Sequence, residues 1–594
     1  MKSVRGILSF VTLISLAAAT LLFTVVRPAP VHASGPTTNT PFQHVIVIVQ
    51  ENRTPDNLFG SNHSFESGVN VRTWGLDSNN NQVNLQPRPL SDCYNPYHDH
   101  DAFQDMYNAG AMNGADTIGI SIYAGCTLPA DSEFVYVDSN QTYNAQPYFD
   151  IATRWGFANF MFQSNQGPSF PAHQFLLSGT SAPTWKGNPY DDQNKLWWQW
   201  FDADNDYVHT PYGCLAQQGT FAPQVDYLGN YYLDCSHPPK GSQGCYVPPV
   251  PPYPPYVGPA FPCFEHPTMT DLLDSNGFNG QNQISWEYYG LDETDIWDAP
   301  DAILHTCVPS TSAPGCTGSH FIQGNGNQTG LVYLGNPAQI FNDIDSCHLA
   351  NVSWVIPNGA WSDHAGGYKD RGNQGYGPSW VADIVNEIGN NTNCDTNTWN
   401  GKTGYWYDTA ILITWDDWGG YYDHVLPLNC PSGQGRICTG YPTGDQNSSG
   451  WEYVYSFRVP LLVVSAYKGP YVSGPVSDPN TAATCLNNAS FPCHDFGSIL
   501  NFTEYVFGSN GSGLGWPYGI GGQWNIGQNY PYADYWAPDG PNVPNAYAKY
   551  SLSDFFDFNT YGYNPLPFGG NISAPKSKDF FLGWGGGITD PDDD

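Results

Sequence analysis

Two short pairs and one serine carry the residue types that do chemistry in this chain. Glu51 and Asn52 follow the apolar run His44 to Gln50 (HVIVIVQ). A carboxylate and an amide carbonyl side by side are hard oxygen donors suited to a divalent cation. Asp416 and Asp417 stand at the end of a second apolar run, TAILITW. Adjacent carboxylates repel unless a cation lies between them, and Gly419-Gly420 lets the backbone turn tightly behind them. Ser169, in QGPSFP, opens a short helical pattern. A helix start offers backbone N–H groups and a dipole that favour phosphate and an alkoxide-like oxygen. Metal contact would activate the hydroxyl further as a nucleophile. Each feature also has a plainer reading: a loop acid, a turn, an N-cap serine. Only their convergence makes a reaction centre.

Convergence needs elements that deliver them. Four segments read as strands covered on both faces: 44–49, 352–356, 410–414 and 459–465. They are β-branched, nearly continuous in apolar character and bounded by turn residues, which predicts a parallel sheet. Helices are predicted over 171–177, 380–388 and 498–507, the last with Ser498 as N-cap. Strands alternating with helices give an α/β fold. In open α/β sheets ligands sit beyond the carboxyl ends of the strands, where Glu51 and Asp416 are expected. The Pro/Tyr-rich stretch 243–262 is expected to be an ordered surface loop pinned by Cys245 and Cys263.

Three blocks, HVIVIVQENRTPDNLFG, GPSFPAHQFLLSGTS and TAILITWDDWGGYYDHV, resemble the bacterial phosphoesterase family of phospholipases C and acid phosphatases. Further blocks agree in order: HDHDAFQDMYNAGAMNG from His98, SWEYY from Ser285, WVIPNGAWSDH ending at His364, and Arg458-Val-Pro. The resemblance covers about residues 42 to 508. It implies an alkaline-phosphatase-like, mostly parallel central sheet flanked by helices, with long irregular disulfide-stapled loops. It also implies one divalent metal ion held by Glu51, Asn52, Ser169, Asp416 and Asp417, with Ser169 as nucleophile. Hard ligands suggest Ca, Mg or Mn, and mixed one-metal sites also take Zn or Fe. His98 and His364 match the family's pocket histidines, suited to leaving-group protonation or phosphate contact. His424 and His494 have equal claims to structural and site roles. One departure stands out: many members carry Pro-Asn-Arg just after the nucleophile, where this chain has Pro171-Ala172-His173.

The bulk numbers limit the setting. Lys2 and Arg5, an uncharged apolar stretch and Val31-His32-Ala33 form the layout of a secretory signal peptide, residues 1–33. A catalytic domain over 42–508 and a Gly/Tyr-rich C-terminal cap or appendage over 509–594 are expected to follow. The net charge is −35, which repels nucleic acid and anionic surfaces. Few lysines and many carboxylates suit an acidic medium. An even 14 cysteines in an exported chain read as disulfides, with Cys235/Cys245, Cys307/Cys316, Cys430/Cys438 and Cys485/Cys493 close enough to staple local loops. The expected activity is therefore a secreted phosphoesterase acting through a phosphoserine. Its substrate is a phospholipid headgroup in the phospholipase C reading, or a soluble phosphomonoester in the acid phosphatase reading. A different class, an inactive relative that binds carbohydrate through its aromatic tail, is the rival.

Overall fold

The computed structural model describes most of residues 38–585, with stretches left out chiefly within 182–199, 204–211, 227–261, 308–330, 428–454, 479–491 and 515–551. The predicted leader and the pairs Cys235/Cys245 and Cys430/Cys438 lie outside the described residues.

Nine strands form one sheet: β1 (His44–Gln50), β2 (Gly156–Ala158), β3 (Trp286–Gly290), β4 (Phe321–Ile322), β5 (Leu331–Leu334), β6 (Val352–Val355), β7 (Thr409–Trp415), β8 (Leu461–Val464) and β9 (Tyr471–Ser473). Their spatial order is β4-β5-β3-β6-β1-β7-β8-β2-β9. The four strands read from sequence are β6, β1, β7 and β8, side by side at its centre. Three of them are parallel: β1 pairs with β6 and with β7. The fourth departs from expectation, since β8 runs antiparallel to both β7 and β2. Its apolar run reports burial on both faces, which either direction satisfies. The fold is thus α/β with a mixed sheet.

The helices are α1 (Pro55–Phe59), α2 (His100–Tyr107), α3 (Gln146–Arg154), α4 (Ser169–Ser178), α5 (Met269–Ser275), α6 (Gln339–Asp345), α7 (Gly377–Asn390), α8 (Phe496–Phe507), α9 (Phe558–Tyr561) and α10 (Lys578–Leu582). The three predicted helices are α4, α7 and α8. Asp495, rather than Ser498, is the N-cap of α8; Ser498 sits at N3 and returns a hydrogen bond to the Asp495 N–H, closing a capping box. α7 packs against β7, α3 and α6, and α4 packs against α8. Among the described residues, no helix is long and apolar enough to cross a membrane.

Disulfides join Cys93 to Cys126, Cys214 to Cys263, Cys307 to Cys316 and Cys347 to Cys394. The 307/316 staple is as expected. Cys263, at the end of the Pro/Tyr-rich stretch, is bonded to Cys214; Cys245 and the stretch up to residue 261 lie outside the described residues.

The described part of the C-terminal segment joins the main core. Phe556 packs on Phe42 and Phe502, and Phe581 on Trp361 and Trp380. Leu552, Phe555, Ile572 and Phe581 are buried with the sheet residues.

Candidate functional site

β1 and β7 are adjacent and parallel, with Gln50 opposite Trp415. Their exits therefore leave the sheet at the same edge. The ladder continues one step past the strands: the Asp416 N–H donates to the Gln50 carbonyl at 2.9 Å, and the Arg53 N–H to the Asp417 carbonyl at 3.0 Å. This interlock places Glu51-Asn52 directly beside Asp416-Asp417. Asn52 occupies the left-handed region, with φ of 61°, and its N–H donates to Asp416 Oδ1 at 2.9 Å. A non-glycine residue held there is strained, and here the two strand exits hold it.

α4 brings the serine. Ser169 is its first residue, and its hydroxyl lies 3.3 Å from Glu51 Oε2 and 3.2 Å from Asp417 Oδ2. One hydroxyl proton serves either carboxylate. Glu51, Asn52, Ser169, Asp416 and Asp417 are all fully buried. The five residues expected to share a centre are thus gathered in one place.

His98 lies against this cluster. Its Nδ1 donates to the Pro96 carbonyl at 2.8 Å, which leaves Nε2 to accept from the Asn52 amide Nδ2 at 3.0 Å. That bond turns the other end of the Asn52 amide, Oδ1, away from the ring. His364 is fully buried, its ring centroid 6.0 Å from that of His98 and 5.9 Å from that of Trp297. It follows β6 by way of a turn tied to the β1 exit: Arg53 donates twice to the Asp363 carbonyl, and the Asp363 N–H donates to Gln50 Oε1. The Asp363 carboxylate accepts from Tyr148 and Trp415. Burial nevertheless raises its pKa to about 6, against the opposing pull of Arg53.

The residues present fit a cation. Asn52 Oδ1 and Asp416 Oδ2 are buried without a hydrogen bond, which costs free energy unless something positive faces them. Glu51, His173 and Asp416 each offer one ligand atom, all within 4.8 Å of one another. A second group, Asp56, Asp423 and His424, is equally tight, but a guanidinium fills it. Arg458 pairs with both oxygens of Asp423, at 2.6 and 2.9 Å, and lies 3.4 Å from Asp56. Burial alone would push Asp56 up, yet His424 and Arg458 bring it below its ordinary value.

His424 belongs to that ion-pair network, with Asp56 at 2.6 Å and Asp478 at 3.3 Å. His494 faces Ser473 and Asp554 near the C-terminal segment. From sequence, His173 registers only as a departure from the family pattern. The structure puts its Nε2 3.1 Å from Glu51 Oε1 and 3.9 Å from Asp416 Oδ2. The available signal was spacing: His173 lies four residues after Ser169, so both share one helix face.

The arrangement is that of an α/β protein with an acid-rich, amide-bearing cage and a helix-borne serine at the carboxyl edge of its sheet. The chain belongs to the Phosphoesterase family, whose model matches residues 42–509. It is similar to a non-hemolytic phospholipase C of Burkholderia pseudomallei, 27% identical over 143 residues, 23% of this chain and 18% of that protein. Phospholipase C B of Mycobacterium tuberculosis is 28% identical over 139 residues, 23% of this chain and 24% of its own. A non-hemolytic phospholipase C of Pseudomonas aeruginosa is 28% identical over 148 residues, 23% of this chain and 19% of its own. The chain therefore aligns with a quarter or less of the length of these relatives.

Proposed function

We propose that this protein is a metal-dependent phosphoesterase, phospholipase C-like in substrate, in which Ser169 is the nucleophile. The observation that carries the reading is the Ser169 hydroxyl set between Glu51 and Asp417, beside oxygens of Asn52 and Asp416 that accept no hydrogen bond. Glu51, Asn52, Ser169, Asp416 and Asp417 would hold one divalent ion, which when bound supplies positive charge to a phosphoryl oxygen and to the serine oxygen. Ca, Mg, Mn, Zn and Fe are all compatible with these five oxygen-donor residues. The central sheet is read as alkaline-phosphatase-like.

The residues then act in sequence. Ser169 gives its proton to Glu51 or Asp417 and its oxygen attacks phosphorus in line, while the ester bond to the leaving oxygen breaks. That oxygen takes a proton from His364. Water then gives a proton to His364 and attacks the phosphorus of the phosphoserine, the bond to the Ser169 oxygen breaks, and that oxygen recovers its proton from Glu51 or Asp417. Both ring nitrogens of His98 are engaged, with Pro96 and Asn52, so it acts as a positioning residue that aims the Asn52 carbonyl into the cage. Disulfides among the described residues suit an extracellular or cell-envelope location.

The names of the relatives favour a phospholipid diester. The test compares p-nitrophenyl phosphorylcholine with p-nitrophenyl phosphate, each with added and chelated metal. Faster turnover of the diester is expected, and a preference for the monoester would make the protein an acid phosphatase instead. Asp416→Ala should lose bound metal, read by elemental analysis, together with activity. Normal turnover by that variant would overturn the site. A metal-free, inactive wild type that binds glycan would favour the carbohydrate-binding reading.

A further inference from the structure

We propose that His173 is a nitrogen ligand of the metal centre and biases it toward a first-row transition dication over calcium. The inference rests on the metal-centre reading above and extends it to a residue outside the oxygen set.

Ser169 and His173 are one turn apart on α4, so the helix that delivers the nucleophile delivers an imidazole beside it. His173 is 1% exposed, and its Nε2 approaches oxygens from two different acids: Glu51 Oε1 at 3.1 Å and Asp416 Oδ2 at 3.9 Å. These acids come from different strand exits, β1 and β7. Atoms that share an ion at about 2.0–2.2 Å lie roughly 3 to 4 Å from each other, and both distances fall in that range. Asp416 Oδ2 is one of the buried oxygens without a hydrogen bond, so this corner of the cage needs positive charge rather than another acceptor.

The chemistry of the side chain points the same way. Neutral imidazole has a lone pair for a metal and is a common metal ligand. Imidazole added to carboxylates suits Mn, Fe, Co or Zn, whereas calcium takes oxygen ligands.

The test uses the full chain, stripped of metal and reloaded with Mn²⁺, read by pulsed electron paramagnetic resonance. Wild type should show the hyperfine coupling of a directly bound nitrogen. His173→Gln should lose it, and His98→Gln should keep it. Titration of the same proteins should show Mn²⁺ and Zn²⁺ affinity falling at least about tenfold in His173→Gln, with Ca²⁺ affinity nearly unchanged. Zinc-loaded wild type, read by X-ray absorption for imidazole scattering, needs no variant and guards against one that misfolds. A wild type that binds metal without a nitrogen signal, or a coupling that survives in His173→Gln, overturns the ligand assignment alone. A wild type that binds no divalent cation overturns the metal centre and this ligand with it.

Discussion

The Ser169 hydroxyl has two carboxylate acceptors and one proton, so its environment is built to take that proton away. Three acids, Glu51, Asp416 and Asp417, are fully buried around it. Such a cluster is stable only with compensating charge, which is the physical basis for expecting a cation there. The two histidines differ in what positions them. His98 is committed at both nitrogens to Pro96 and Asn52. His364, set by the turn that Arg53 and Gln50 hold, is the proton donor in the proposed reaction. Its role predicts a dependence on leaving group. His364→Gln should slow esters of alkyl alcohols by about 10²–10⁴ and p-nitrophenyl esters far less, because nitrophenolate leaves without a proton. Equal losses on both substrates, measured as kcat/KM, would assign His364 to binding instead.

Elements turn separate residues into a site. The parallel pairing of β1 with β7 sets Gln50 opposite Trp415, and everything beyond follows from that register. A one-residue slip would turn Glu51 and Asp416 to opposite faces. Gly419 locks the arrangement: its φ is 65°, and a Cβ there would lie 2.4 Å from the Asn52 carbonyl oxygen. A Cβ on Gly420 would lie 2.5 Å from the Pro96 Cβ and 2.7 Å from the Tyr97 carbonyl oxygen, which joins the segment bearing His98 to the acid turn. Gly419→Ala should therefore cost about 1–3 kcal/mol and displace Asn52. The expected result is a lower Tm with weakened metal retention. Wild-type metal content in a folded Gly419→Ala protein would show that the close approach does not position Asn52. The C-terminal segment contributes at the same scale. Phe581 and Trp584 pack on Trp361, whose carbonyl accepts from Gln50, so residues beyond the family match support the turn that carries His364.

The whole molecule is acidic, and many of its acids are buried. Burial, with Asp343 nearby, raises Glu287 to about 8. Burial with Glu387 nearby raises Asp383 to about 7, and burial chiefly raises Glu133 to about 7 and Asp101 to about 6. In the unfolded chain these groups ionise near about 4. Between that value and the folded ones the folded chain holds more protons, so stability falls as pH rises. His44 and His424, raised by acidic partners in spite of burial, act in the same direction. They stabilise below about 6.5 and cease to do so as pH passes their folded values. The opposite limb comes from Asp56, Asp478 and Asp554, held low by histidine partners although burial opposes it. Their contribution is lost below about pH 4. Thermal unfolding should therefore show a maximum Tm at about pH 4–5 and a steady decline toward pH 8. A Tm that climbs between pH 5 and 8 would contradict this balance of buried groups.

The apolar runs at 44–50 and 409–415 were legible because a strand buried on both faces needs continuous apolar residues, and the acids were legible because they interrupt those runs. The oxygen donors, the serine and the family could therefore be read from local composition and order. The direction of β8 could not, since burial on both faces is the same signal in either direction. Nor could Cys214–Cys263, which depends on where a 49-residue separation closes in space. His173 shows the boundary most clearly. Its helix phase beside Ser169 is a local property, but its approach to Glu51 and Asp416 depends on how α4 seats against two strand exits. The sequence alone determined which residues had the chemistry. Only the tertiary structure decided which of them meet, because a site is made of distances between elements that no local pattern encodes.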